Sequence, residues 1–76
     1  MNDRTGEIIR VRREGVYLSI RELARRADIH VKTLRLIERG VSKPHKTTLE
    51  LINGVLDEEE RKARQKRKEL GLLADR

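Results

Sequence analysis

The sequence predicts an all-α domain of four to five helices, and three observations predict it. Apolar residues recur at spacings of three and four, the period of one helix face. Three of those stretches are preceded by capping patterns: Ser19 with Glu22, Thr47 with Glu50 and Asp57 with Glu60. Gly40 and Pro44 stand where a helix must stop. With 76 residues the chain has room for one small core.

Each element follows in order. Ile8, Ile9 and Val11 lie among charges between Thr5 and Arg13 and predict one face of a first helix, which Gly15 ends. Ser19 accepts a backbone N–H and Glu22 reciprocates, so a second helix starts there, with Leu23, Ala24 and Ala27 inward and Arg21, Arg25 and Arg26 elsewhere. Leu34 and Ile37, with Ile29, give a third helix, and Gly40 supplies its left-handed end. A fourth begins after Pro44 with Thr47 as cap and buries Leu49, Ile52, Val55 and Leu56. A fifth, charged helix starts at Asp57 and closes at Gly71, with Glu58–Lys62 and Glu60–Arg64 pairs worth about 0.2 to 0.5 kcal/mol each. The chain thus divides into residues 1–56 and a charged helix with a leucine-containing tail, 57–76. Leu56, Ala63 and Leu70, spaced by sevens, are either one thin seam against a partner or a line on a solvated helix, and the second is favoured because one line over two heptads falls short of a coiled coil. Leu70, Leu72 and Leu73 either fold back on the core or meet another subunit.

Composition narrows the function. There is no cysteine, so no disulfide or thiolate site, and His30 and His45 alone do not make a zinc site; no metal or cofactor is expected. No apolar run of about 18 residues suggests a membrane span, which makes a cytoplasmic location the default. The net charge of +6 sits mainly in residues 1–56, which hold 12 Lys or Arg against seven acids, and points to a polyanion. With Tyr17 as the one aromatic ring, there is no set of stacking platforms for single strands, so duplex DNA fits better. An enzyme is not expected: the acids from Asp57 to Glu60 suit a helix N-terminus, and no nucleophile, base and oxyanion set is visible.

The stretch "LSIRELARRADIHVKTLRLIERG", Leu18 to Gly40, meets the requirements of a helix-turn-helix: two short helices, a small residue at their contact (Ala24), and an apolar residue dipping from the turn (Ile29). The outer face of the second helix is then His30, Val31, Lys32, Arg35 and Arg39. Together with "ERGVSKPHKTTLELINGVL" this stretch resembles the lambda-repressor-like family, the Cro/repressor or XRE type, over residues 6 to 56. The resemblance implies a compact domain that binds operator DNA, usually as a homodimer, with helix three in the major groove, in a bacterial or phage-encoded regulator associated with the nucleoid. It implies that Val31, Lys32, Arg35 and Leu36 face base edges, and that Ser19, Ile20 (through its N–H), His30, Arg39, Lys43 and Lys46 lie near phosphates. It also implies an ion pair between Glu38 and an arginine late in helix one, where periodicity favours Arg12 over Arg13. Asp28 takes the place of the family's usual turn glycine, in a left-handed conformation that costs an L-residue about 1 to 2 kcal/mol. Ile20 and the Thr-Leu-Arg run also resemble the MerR or excisionase type of winged helix-turn-helix, but that type starts at the motif and continues into a wing. A third reading is a protein-binding module of the antitoxin or antirepressor kind, which an exposed leucine tail favours.

Overall fold

The computed structural model of the protein describes residues 3–74, with side chains as far as Gly71. Four helices occur in it and no strand: α1 (Thr5–Gly15), α2 (Ile20–Arg26), α3 (Val31–Glu38) and α4 (Lys46–Ala74). The core is a single cluster to which every helix contributes: Ile9 from α1, Leu23 and Ala24 from α2 with Ala27 just beyond it, Leu34 and Ile37 from α3, Ile52 and Leu56 from α4. Six of these are large aliphatic side chains buried almost completely, each worth about 1.5 to 3 kcal/mol relative to exposure. Of the three apolar residues read as the face of α1, only Ile9 is inside. Ile8 and Val11 are exposed, because Ile9 alone points at the other helices.

The first three helices end alike. Behind each, one N–H donates to a carbonyl five residues back and the preceding N–H to a carbonyl three back: Leu18 to Arg13 with Tyr17 to Glu14, Ile29 to Ala24 with Asp28 to Arg25, and Val41 to Leu36 with Gly40 to Ile37. This closure satisfies the last carbonyls of a helix and needs a left-handed residue at the inner position. Tyr17 (φ 59°), Asp28 (φ 59°) and Gly40 (φ 78°) occupy it. The expectations for Asp28 and Gly40 hold. Gly15 ends α1 as expected, as its last helical residue, and the left-handed position falls two residues later on Tyr17. The residues after these turns, Leu18 and Ile29, then pack against the core and set the entry of the next helix.

Of the three expected capping residues, Ser19 caps a helix, while Thr47 and Asp57 lie inside α4. Ser19 caps α2, its Oγ accepting from the Glu22 N–H at 3.0 Å, but Glu22 turns to Arg25 instead of reciprocating. α4 starts at Lys46, with the Leu49 N–H donating to the His45 carbonyl at 2.8 Å, so Thr47 lies inside the helix and does not cap it. The expected break at Asp57 is absent: α4 runs through Asp57 and through Gly71 without interruption, and the 56/57 division falls inside one helix. The acids read as a capping box have other partners. Arg12 of α1 donates to Asn53 (3.0 Å), Asp57 (2.7 Å) and both oxygens of Glu60 (2.8 and 2.9 Å). Arg26 of α2 donates to Glu58 and Glu59, each at 2.6 Å. Two arginines from different helices therefore hold the middle of α4.

A close approach escaped the sequence reading. Gly6 is buried where α1 meets the end of α3, and a Cβ there would lie 1.9 Å from the Ile37 carbonyl oxygen. That atom is backbone, so α1 and α3 would have to separate. Gly54, mid-helix in α4, has open space in the same direction. Gly6→Ala should therefore lower unfolding free energy by about 3 kcal/mol, the upper range for overpacking, whereas Gly54→Ala should raise it by about 0.5 to 1 kcal/mol through helix propensity. Urea denaturation of the two variants checks the contrast, which two equal shifts would contradict.

The arginine contacts also set a pH dependence. Hydrogen bonds from Arg26 hold the Glu59 carboxyl, and those from Arg12 the Glu60 carboxyl, below the ordinary value of 4.5. With folded values below unfolded ones, the unfolded chain binds more protons at acid pH. The stabilisation is present above about pH 4.5 and is lost as pH falls through the folded values. Arg12→Gln/Arg26→Gln should flatten the decline in stability between about pH 6 and 3. Parallel curves for the variant and the natural chain would show the pairs to be screened by solvent.

Candidate nucleic-acid interface

The placement of α3 rests on its inner face. Leu34 and Ile37 are buried in the core, and Glu38 is buried beside them with its side chain 4% exposed. The glutamate is matched by Arg13, not by Arg12 as helix-one periodicity suggested. Arg13 Nε and Nη2 donate to its two oxygens at 2.8 and 3.1 Å, and Nη1 donates to the Leu18 carbonyl at 2.9 Å. The reason is angular: Arg13 is one turn beyond the buried Ile9, on the face toward α3, while Arg12 is rotated toward α4. These hydrogen bonds to Glu38 raise the Arg13 pKa against the effect of burial. No buried side-chain nitrogen or oxygen is left without a partner among the described residues.

With that face occupied, the rest of α3 points outward. Lys32 and Arg35 are exposed, and so is Arg39, the residue that ends the helix. Val31 and Leu36 are half-buried: Val31 packs partly on the core, and the Leu36 carbonyl accepts the N–H groups of Val41 and Ser42, which folds the following loop across it. Thr33 is exposed on the same helix and was missed, although its place beside Lys32 and before the buried Leu34 was a usable signal.

The flanking groups come from three places. His30 caps α3: its Nδ1 accepts from the Lys32 N–H at 3.2 Å, so in the neutral ring Nε2 carries the proton and can donate outward. At the start of α2, Ser19 is exposed, while the Ile20 side chain packs on the core and leaves its helix-terminal N–H as the polar group at that position. On the other side, Lys43 and Lys46 are exposed in the α3–α4 loop and at the first residue of α4, with Lys43 Nζ 3.8 Å from Asp3.

Two open clefts join these groups. One lies among Arg10, Ile20, Arg35, Glu38 and Arg39, so three guanidinium side chains, from α1, α3 and the residue that follows α3, border the start of α2. The other lies where α2 meets α3 and is lined by Arg21, Arg25, His30 and Val31 among others. Arg21 and Arg25 are placed by sequence only on the side of α2 away from the core, and Arg10 is not marked by it at all. Arg10 precedes Arg13 by three residues and so shares its side of α1, a signal that reading only the apolar residues discarded. No strand follows α3 among the described residues, so the winged arrangement has no counterpart here, and none of their helices is long and apolar enough to cross a membrane. The side chains of Leu72 and Leu73 lie outside the described residues, while Leu70 is exposed.

Comparison with known proteins agrees with this geometry. A family model described as "Helix-turn-helix" matches residues 9–62, most of the chain and all of α2 and α3. No curated protein and no solved structure matches.

The buried pair generates a stability prediction. Glu38→Ala leaves the Arg13 guanidinium largely buried without its carboxylate and should cost about 3 kcal/mol. Urea unfolding measures it, and a loss under about 0.5 kcal/mol would reduce Glu38 to a surface charge.

Proposed function

The chain belongs to the helix-turn-helix family of the XRE type, lambda-repressor/Cro-like, whose members bind DNA, and from that premise we propose that it is a sequence-specific regulator reading an operator with α3 in the major groove. The observation that carries the reading is the two-sided character of α3. Its inner face is consumed by Leu34, Ile37 and the Arg13–Glu38 pair, while Lys32, Arg35 and Arg39 are exposed on the other side. A helix fixed so firmly from beneath presents its cations in a constant register.

Roles follow from chemistry. The fork of Arg35 suits guanine O6 and N7, Lys32 offers the same atoms a less rigid donor, and Val31 and Leu36 suit a thymine methyl. Ser19, the Ile20 N–H, His30, Arg39, Lys43 and Lys46 hold phosphates and set register, and Arg10 joins them from the cleft beside α2. Residues 1–56 form the reading unit, and 57–76 add a charged extension. A single unit covers little DNA, so the chain acts as a homodimer on a palindromic site with half-sites about 34 Å apart. Among the described residues, exposed Ile8, Val11, Val41, Leu51 and Leu70 are aliphatic side chains available for a subunit contact.

The test starts from duplexes selected for binding out of a random pool, which also reports site symmetry. Arg35→Ala should weaken the selected site by about 1 to 3 kcal/mol and erase preference at one base position, with little change on a scrambled duplex. Lys46→Ala should weaken both duplexes alike and reduce the slope of log K against log salt by about one unit. Equal shifts and equal slope changes for the two variants would make Arg35 a phosphate contact and remove α3 from the groove.

A further inference from the structure

Beyond Glu60, α4 carries six Lys or Arg and no acid in residues 61–68, and all six cations are exposed. The reading function described above uses none of them. The ion pairs show which way they face. Asn53, Asp57 and Glu60 are on the α1 side, since Arg12 bonds all three, and Glu59 is on the α2 side, held by Arg26. At about 100° per residue, Arg64 continues the first row, while Lys62 and Lys66 continue the second. Lys62 Nζ is indeed 3.5 Å from Glu59. Lys62 and Lys66 also border an open cleft with Tyr17, which is 96% exposed in the turn two residues before Ser19. The cationic row therefore lies beside the turn that delivers the N-terminus of α2.

We propose that Lys62 and Lys66, on the α2-facing side of α4, form a second backbone contact that holds duplex phosphates outside the segment read by α3. The proposal rests on the placement of the α2 N-terminus against the backbone. The partner follows from the charge of the row: six exposed, flexible cations and no acid in residues 61–68 suit a sequence-independent polyanion, although Val16, Ala63 and Leu70 also line the cleft. The Tyr17 hydroxyl is a further donor of the type that serves phosphates. Residues 61–68 extend about 12 Å, the rise of three to four base pairs. The expected result is a site whose affinity depends on duplex beyond its specific bases.

Two double variants of the full chain remove equal charge from different sides: Lys62→Gln/Lys66→Gln and, as control, Arg64→Gln/Lys68→Gln. Lys, Arg and Gln have similar helix propensities, and circular dichroism verifies that both variants fold. Binding is measured over a salt series to the selected site, once as a duplex ending at its edge and once extended by about six scrambled base pairs at each end. The natural chain should bind the extended duplex at least about tenfold tighter near 0.1 M salt, with a slope steeper by one to two units. The Lys62/Lys66 variant should lose that gain and the control should keep it. Equal losses in both variants, or a natural chain indifferent to the flanks, overturn the proposal. Arg35→Ala on the short duplex separates the two failures, because an unchanged affinity there rejects the major-groove placement whatever the flanks do. If no site is selected, the variants are compared by slope on an arbitrary duplex of about 30 base pairs, where a Lys62/Lys66 slope no lower than the control's is again a rejection.

Discussion

The Arg13 guanidinium is the contact on which the rest of the arrangement depends. It joins the end of α3, through both oxygens of Glu38, to the end of α1 and to the Leu18 carbonyl in the turn toward α2. A buried ion pair of this kind is weak evidence for stability, since desolvation offsets much of the attraction. Its value here is positional: three polar groups that must be satisfied together admit one mutual orientation of α1, α2 and α3. The close approach of Gly6 to the Ile37 carbonyl acts on the same joint from the other end of α1. The outward cations of α3 inherit their register from these two contacts.

The turns contribute by repetition. Closing α1, α2 and α3 with one hydrogen-bond pattern makes each helix stop sharply and sends the next residue back to the core, which is how helices of seven and eight residues are kept in place in so small a protein. The pattern requires a left-handed backbone, and only Gly40 adopts it without steric cost. At Asp28 the polar side chain tolerates it. Tyr17 has no such excuse in its chemistry, and its nearly full exposure means that packing does not compensate. The strain is concentrated in the turn that feeds the start of α2, beside the cationic row of α4.

α4 shows how one acidic cluster serves two readings. Asp57 to Glu60 have the composition of a helix start, yet they lie mid-helix and meet arginines from α1 and α2. Those contacts bind the upper half of a long helix to the body and partly neutralise it, so that the uncompensated charge of α4 lies in residues 61–68. Acidic and basic blocks adjacent on one helix thus have separate tasks, one toward the protein and one toward solvent.

By itself the sequence determined the helical class, the motif from Leu18 to Gly40, the left-handed turns at Asp28 and Gly40, and the aliphatic residues of α2, α3 and α4 that build the core. These are local properties: periodicity, capping chemistry and backbone preference act within a few residues, so they are readable along the chain. It also marked Lys32, Arg35 and Arg39 as outward, because a helix with its inner face filled leaves its cations no other side. The tertiary structure decided what depends on rotation between elements. Arg12 and Arg13 are adjacent and chemically alike, and only the 100° between them, set against the position of α4 and α3, assigns one to Glu60 and the other to Glu38. The same holds for Gly6, an unremarked residue until another backbone stands against it, and for Asp57, which caps a helix or continues one according to whether an arginine lies within reach.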